Sequence, residues 1–267
     1  MPVERLDLER AESSDILVNE HWLRYKYIRE HLRTEKVLDI ACGSGYGSYY
    51  LSLNNNLEVI GADVNSDSIT KAQKSYQKDN LKFQVANALS LPFKDKSFDS
   101  VVSLETIEHF NVSDQKLYLA ELKRVLKPKG KLWLSTPNAE ASKHKNPWHL
   151  KELSFSELQK LLANNFKNYK ILKQGTALAT VISSDDVNNN ESAKDSSSTT
   201  YIGSDVYPKY YLAIASDESI EDSDLSKLAV SLNFKAFARL DNHPLKKISD
   251  SVYHPVSKVL KKFKRKK

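Results

Sequence analysis

The 267-residue chain holds a single cysteine, Cys42, so no disulfide framework can staple it and its fold has to rest on a buried core. That scarcity suits a reducing compartment. No apolar run approaches the roughly 20 residues that a membrane span needs, and Met1 to Glu20 is studded with charge, so neither a span nor a signal peptide is expected. The expected location is cytoplasmic. One well-buried α/β domain plus an appendage fits this length, and two full catalytic domains do not. The bulk of the chain also lacks a basic surplus. Its net charge of +6 comes from residues 246–267, where nine Lys or Arg face the single acid Asp250, while 31 basic residues stand against 33 acidic ones elsewhere. No nucleic-acid partner is expected, because nothing outside the tail would track a phosphate backbone.

Glycine is scarce too, seven in all, yet three stand at 43, 45 and 47, directly after the apolar run Val37-Leu38-Asp39-Ile40-Ala41-Cys42. A strand running into such a turn and then a helix is a nucleoside-binding elbow, since the backbone can bend sharply and approach a ligand. Downstream, Leu57-Glu58-Val59-Ile60-Gly61-Ala62 ends in Asp63, placed to hold both ribose hydroxyls from a neighbouring strand end. A dinucleotide site would want a glycine at position 48, and the chain has Ser48. Apolar periodicity predicts a helix over 18–32, then strands near 36–41, 58–62, 81–86, 99–104 and 130–136, with helices near 46–54, 66–78 and 113–126. Ser154 and Glu157 form a capping-box pattern opening a helix to about 166, and strands near 169–174 and 208–215 follow.

Four segments in register resemble the class I S-adenosylmethionine-dependent methyltransferases. They are Asp39-Ile40-Ala41-Cys42-Gly43-Ser44-Gly45, with Ala41 where a glycine is usual; Gln84-Val85-Ala86-Asn87-Ala88 before Leu91-Pro92-Phe93; Ser97-Phe98-Asp99-Ser100-Val101-Val102-Ser103; and Leu126-Lys127-Pro128-Lys129-Gly130 with Lys131-Leu132-Trp133-Leu134. His21-Trp22-Leu23-Arg24-Tyr25 and Asn146-Pro147-Trp148-His149-Leu150-Lys151-Glu152-Leu153-Ser154 are similar to flanking motifs of such enzymes from bacterial surface-polysaccharide gene clusters. The resemblance implies an α/β fold: a seven-stranded, mostly parallel, Rossmann-like sheet with helices on both faces and the last strand antiparallel. It also implies S-adenosyl-L-methionine as cofactor. Asp39 would orient the glycine loop and the methionine amine. Ala41, Gly43, Gly45 and Tyr46 would line the methionine and ribose side, with Asp63 on the ribose hydroxyls and Val64 on the adenine. Asn87 would accept from the adenine amino group, and Ala88 and Leu104 would belong to the same cofactor site. Arg24 either pairs with the methionine carboxylate or is a solvated helix residue.

Past the fourth strand, Glu105-Thr106-Ile107-Glu108-His109 would put two carboxylates and an imidazole on one face of a helical turn, with His149 arriving at the same crevice. Glu105, Glu108, His109 and His149 then suit a divalent ion such as Mg²⁺ or Mn²⁺, an arrangement similar to that of metal-assisted O-methyltransferases acting on quinone precursors and RNA 3′ ends. Two alternatives stay open. His109 or His149 acts as a metal-free general base, or Glu105 merely touches the cofactor while Glu108 and His109 cap a helix.

The resulting expectation is an O-methyltransferase acting on a glycan, sugar nucleotide or lipid-linked saccharide. A quinone-pathway or RNA-end enzyme, or a non-catalytic nucleoside-binding scaffold, remains in play. The expected organisation is a helical cap over 1–34, the methyltransferase domain over 35–218 and an extension over 219–267. The polar, acidic stretch within 176–206 reads as a flexible insertion, either passive or a lid. In the tail, Val252, Val256, Val259, Leu260 and Phe263 fall near one helical face among lysines, a pattern suited to contact with an anionic membrane surface.

Overall fold

The computed structural model describes residues 15–33, 35–143, 146–175 and 208–221. The expected insertion over 176–206 and the basic tail lie outside the described residues. Within them the chain alternates strand and helix: α1 (Asp15–His31), β1 (Glu35–Ile40), α2 (Tyr46–Ser52), β2 (Leu57–Asp63), α3 (Ser66–Ser75), β3 (Leu81–Val85) and β4 (Phe98–Leu104). After a 3₁₀ turn at Ile107–His109 come α4 (Val112–Val125), β5 (Leu126–Pro137), α5 (Ala139–Ser142), α6 (Phe155–Ala163), β6 (Asn168–Gln174) and β7 (Tyr210–Ser216).

The strands form one seven-stranded sheet in the order β3-β2-β1-β4-β5-β7-β6. Strands β1 to β5 pair in parallel, and β7 runs antiparallel to both β5 and β6. Val37, Leu38, Asp39 and Ile40 are all buried in succession, which a strand shows only when both sheet faces are covered. The doubly covered α/β sheet implied by the resemblance is therefore the fold. The order reverses at β1, whose neighbours are β2 and β4, and that reversal opens the crevice beyond the strands' C-terminal ends.

Local chemistry explains the helices. Asn65 and Asn111 cap α3 and α4 by accepting from Ser68 N and Asp114 N. On α4 the buried residues Gln115, Tyr118, Leu119, Leu122 and Val125 form one stripe, and Tyr118 closes against β4 with its hydroxyl 2.5 Å from Ser103 Oγ. Two differences from the periodicity reading matter. The fifth strand begins at Leu126, straight after α4, and Ala41 leaves β1 for a turn. The Ser154–Glu157 capping box forms in full, side chain to backbone both ways. Ser154→Ala should therefore cost about 1 kcal/mol of unfolding free energy in urea titration, and no loss would show that packing of Leu158 and Leu162 alone holds α6.

Candidate active site

At the crevice end of β1 the Asp39 carboxylate is 1% exposed and accepts hydrogen bonds from the Tyr25 hydroxyl at 3.1 and 3.2 Å and from Ser48 Oγ at 2.6 Å. Tyr25 comes from α1 and Ser48 from α2, so one carboxylate joins both helices to the strand. Gly47 permits it, because a Cβ there would lie 2.0 Å from the Tyr25 ring. The resemblance gives Asp39 the orienting of the glycine loop, and the structure has two hydroxyls holding this carboxylate at the base of that loop. Burial, with the Asp63 charge adding to it, pushes this carboxyl up to about 7 despite those hydrogen bonds.

The glycine loop is held by Asp63. Gly43 N donates to Asp63 Oδ2 and Asn65 N to Oδ1, each at 2.9 Å. The three glycines serve different ends. Gly43, at φ +56°, would have nothing within 4 Å of an added Cβ, so the backbone faces open space there. Gly45, expected to line the ligand, is a packing glycine whose Cβ would meet Ala72 and Phe83 at 2.7–2.9 Å. Ala41 adopts φ +59°, so its departure from glycine is strained in its backbone and not only larger by a methyl group. Next to Asp63, Val64 is 68% exposed, an apolar surface suited to a base. Asn87 Oδ1 already accepts from Leu89 N at 2.9 Å, leaving its second lone pair for an adenine amino group. Ala88 and Leu104 are buried. Open backbone, an acid and an exposed apolar side chain fit an adenosine-bearing cofactor.

The motif on α1 grips this region through all three of its polar residues. His21 bonds the Tyr46 hydroxyl through Nδ1, Tyr25 holds Asp39, and Arg24 lies near enough to His21 for its charge to act on the imidazole. Arg24 is no solvated helix residue. It is 3% exposed, donates to Gln174 Oε1 at 2.7 Å, sits 3.7 Å from Glu105 Oε1 and stacks 4.5 Å over the Tyr210 ring, while its Nε has no hydrogen-bond partner. Burial, then the Arg24 charge, pulls the His21 imidazole well below its ordinary value, so it stays neutral beside the guanidinium.

On the acceptor side, Glu108, His109 and His149 offer ligand atoms all within 4.8 Å of one another. Glu105 does not join them. It precedes the 3₁₀ turn at φ +50°, accepts from Ser135 Oγ at 2.6 Å and faces Arg24, so the expected i, i+3, i+4 face never forms. Glu108 is fully buried; its Oε2 accepts from Thr136 Oγ1 at 3.0 Å and its Oε1 has no hydrogen-bond partner. Burial, with the Glu105 charge second, raises its carboxyl well above the usual range. His109 Nδ1 lies 3.1 Å from Trp148 O, and its ring meets that of His149 edge-on at 5.1 Å. Sequence reasoning missed two partners that hold this corner, Ser135 and Thr136 on β5. A separate cavity of about 510 Å³ lies at the opposite ends of β1, β4 and β5, but its polar groups pair with one another, Lys127 with Asp99 and Ser100 with Glu35.

Residues 38–134 match the model of a methyltransferase domain family. This part of the chain is similar to S-adenosylmethionine-dependent methyltransferase domains. A probable S-adenosylmethionine-dependent methyltransferase of Mycobacterium tuberculosis is 30% identical over 158 residues, 55% of this chain and 56% of that protein. An O-methyltransferase of Aspergillus nomiae is 30% identical over 105 residues, covering 38% and 46%. The chain thus spans about half the length of the curated relatives it matches. Among solved structures, an S-adenosylmethionine-dependent methyltransferase from Archaeoglobus fulgidus superposes with a TM-score of 0.55 at 24% identity, covering 78% of this chain and 96% of its own. One from Aquifex aeolicus gives 0.53 at 19%, covering 79% and 98%. Both likenesses establish the fold and nothing finer.

The raised Asp39 carboxyl has a consequence for stability. A rise from 3.8 to about 7 disfavours the ionised carboxylate in the folded chain by on the order of 4 kcal/mol. The folded state keeps this proton to a higher pH than the unfolded chain does, so the contribution is full below about 4 and is lost as pH climbs through 7. Asp39→Asn should reduce that slope, so that the fall in the urea unfolding free energy from pH 5 to pH 8 is smaller in the variant than in the wild type, the part owed to the raised Glu108 carboxyl remaining. Equal slopes in both proteins would reassign the proton.

Proposed function

We propose that this chain transfers the methyl group of S-adenosylmethionine to a hydroxyl oxygen of a saccharide acceptor, free, nucleotide-linked or lipid-linked, at the crevice beyond β4 and β5. The observation that carries the reading is Glu108: a fully buried carboxylate whose Oε1 has no hydrogen-bond partner, in a cluster with two imidazoles whose ligand atoms all lie within 4.8 Å of one another. An unpaired buried carboxylate oxygen is costly, and a cation or an acceptor hydroxyl at that point would satisfy it. The donor set of Glu108, His109 and His149 fits a divalent ion, Mn²⁺ or a later first-row ion better than oxygen-preferring Mg²⁺, with Glu105 outside it. When bound, such an ion supplies Lewis acidity that lowers the pKa of the acceptor hydroxyl.

The rest is work for the protein. Transfer is an in-line displacement in which the acceptor oxygen bonds the methyl carbon, the sulfonium bond breaks and the hydroxyl proton departs, so the reactants must be held on one axis away from water. Asp63 and the Gly43 backbone lie where the nucleoside would be positioned, and Arg24, with its buried unpartnered Nε, suits the methionine carboxylate. The saccharide assignment rests on the two flanking motifs, whose residues His21, Arg24, Tyr25, His149 and Glu152 all bond groups at this end of the sheet. An O-directed reaction is also what the Aspergillus relative is named for.

Two measurements test this. Asp63→Ala should weaken S-adenosylmethionine binding by ~1.5–3 kcal/mol in calorimetry, since it removes both the ribose acceptor and the anchor of the Gly43 amide. Unchanged affinity would put the nucleoside elsewhere. With a panel of saccharide, catechol and RNA-end acceptors, EDTA should abolish transfer and Mn²⁺ restore it. Full activity in chelator together with an inactive His149→Ala would move the chemistry to a metal-free histidine base, and transfer to no acceptor would leave a nucleoside-binding scaffold.

A further inference from the structure

An amino acid carries two opposite charges on one carbon, and the rim of the crevice presents two charges to match. Arg24 Nη2 and Glu105 Oε1 stand 3.7 Å apart, too far for a hydrogen bond, so neither group fully satisfies the other. Arg24 keeps a buried Nε with no hydrogen-bond partner. Glu105 Oε1 accepts from Ser135 Oγ at 2.6 Å, and its Oε2 accepts no hydrogen bond from the described residues. The other acids near this rim are occupied or closed off. Asp39 is 1% exposed and held by Tyr25 and Ser48, Asp63 accepts from two backbone amides, and Glu20 accepts from Lys209 Nζ at 3.0 Å. Glu108 and Glu152 are fully buried on the histidine side. Of these acids Glu105 is the one that is partly open, with a side chain 20% exposed.

Its placement is enforced as well. Just past β4 it takes φ +50°, its N donates to Ser135 O at 3.1 Å, and the hydroxyl of the same serine holds its carboxylate. A glutamate kept left-handed in this way is strained, and such strain gathers at ligand sites. We infer that Glu105 is the counter-ion of the methionine α-ammonium, forming with Arg24 a paired site for the two charges at the amino-acid end of the cofactor. The inference rests on the cofactor reading above and deepens it, because it names the group by which the site would tell a whole amino acid from a bare carboxylate. A glutamate serving only as the internal partner of Arg24 would act through the carboxylate half of the ligand and would not sense the amine.

The test is calorimetry on the full-length chain in EDTA, which keeps divalent ions out of the comparison. S-adenosylhomocysteine is the first probe, since without the sulfonium its one cationic group is the ammonium. The second is its analogue lacking only the α-amino group, and the third is 5′-methylthioadenosine, which lacks the whole amino acid. Wild type should bind S-adenosylhomocysteine about 10–100-fold more tightly than the des-amino analogue, the span expected for a hydrogen bond to a charged group. Glu105→Gln, which keeps an oxygen for Ser135 Oγ, should erase most of that preference and leave the affinity for 5′-methylthioadenosine unchanged. The preference is a ratio within one protein, so a general weakening by the substitution cancels from it. No preference in the wild type, or a preference that survives Glu105→Gln, overturns the counter-ion role while the cofactor reading stands. A wild type that binds none of the three probes overturns the cofactor reading, and the counter-ion role falls with it.

Discussion

The structure depends on a buried carboxylate at the end of the central strand. Asp39 sits where β1 meets the glycine-rich turn, and it is held by a tyrosine from α1 and a serine from α2. A carboxylate out of water is tolerable only when its lone pairs are occupied, so the helices that supply those hydroxyls must dock where they do. Gly47 is required because Tyr25 crosses its α-carbon, and Gly61 because Ser48 Oγ lies 2.6 Å from where its Cβ would be. Helix α1 is thereby drawn onto the sheet, the Tyr25–Asp39 bond acting together with the contacts of His21 and Arg24.

The same economy recurs at the other strand ends. Asp63 ends β2 and takes two backbone amides, Glu105 follows β4 and bridges Ser135 and Arg24, and Glu108 lies one turn further on with one oxygen unpaired. Four acids thus gather beyond the C-terminal ends of parallel strands, the place where α/β sheets bind ligands. Backbone strain gathers there as well. Ala41 and Glu105, just past the ends of neighbouring β1 and β4, both take a left-handed conformation, and such strain persists only where surrounding contacts over-determine it.

Two segments far apart in sequence converge on this rim. From α1 come His21, Arg24 and Tyr25; from the stretch after β5 come His149 and Glu152. Gln174 at the end of β6 joins them by accepting from Arg24 and donating to Glu20 O. The α1 side of this rim meets the turn after β4 where Arg24 lies 3.7 Å from Glu105.

The sequence by itself determined the sheet and the location of the crevice. Strand and helix periods, the run of glycines and the acid ending β2 are local signals, and parallel strands with short turns have few ways to pack. The cap at Ser154 was legible for the same reason, since donor and acceptor are three residues apart. What only the tertiary structure decided is which polar groups meet. That Ser48, a departure from the dinucleotide pattern, pairs with Asp39; that Gly45 packs on Phe83 while Gly43 faces open space; that Glu105 turns toward Arg24 and leaves Glu108 with the histidines: each depends on side chains brought together from tens of residues away. The reading of Glu105 failed on one dihedral. A helical turn was assumed from spacing, whereas the chain leaves β4 at φ +50° and aims that carboxylate at β5, because the backbone had to bend before the 3₁₀ turn could begin.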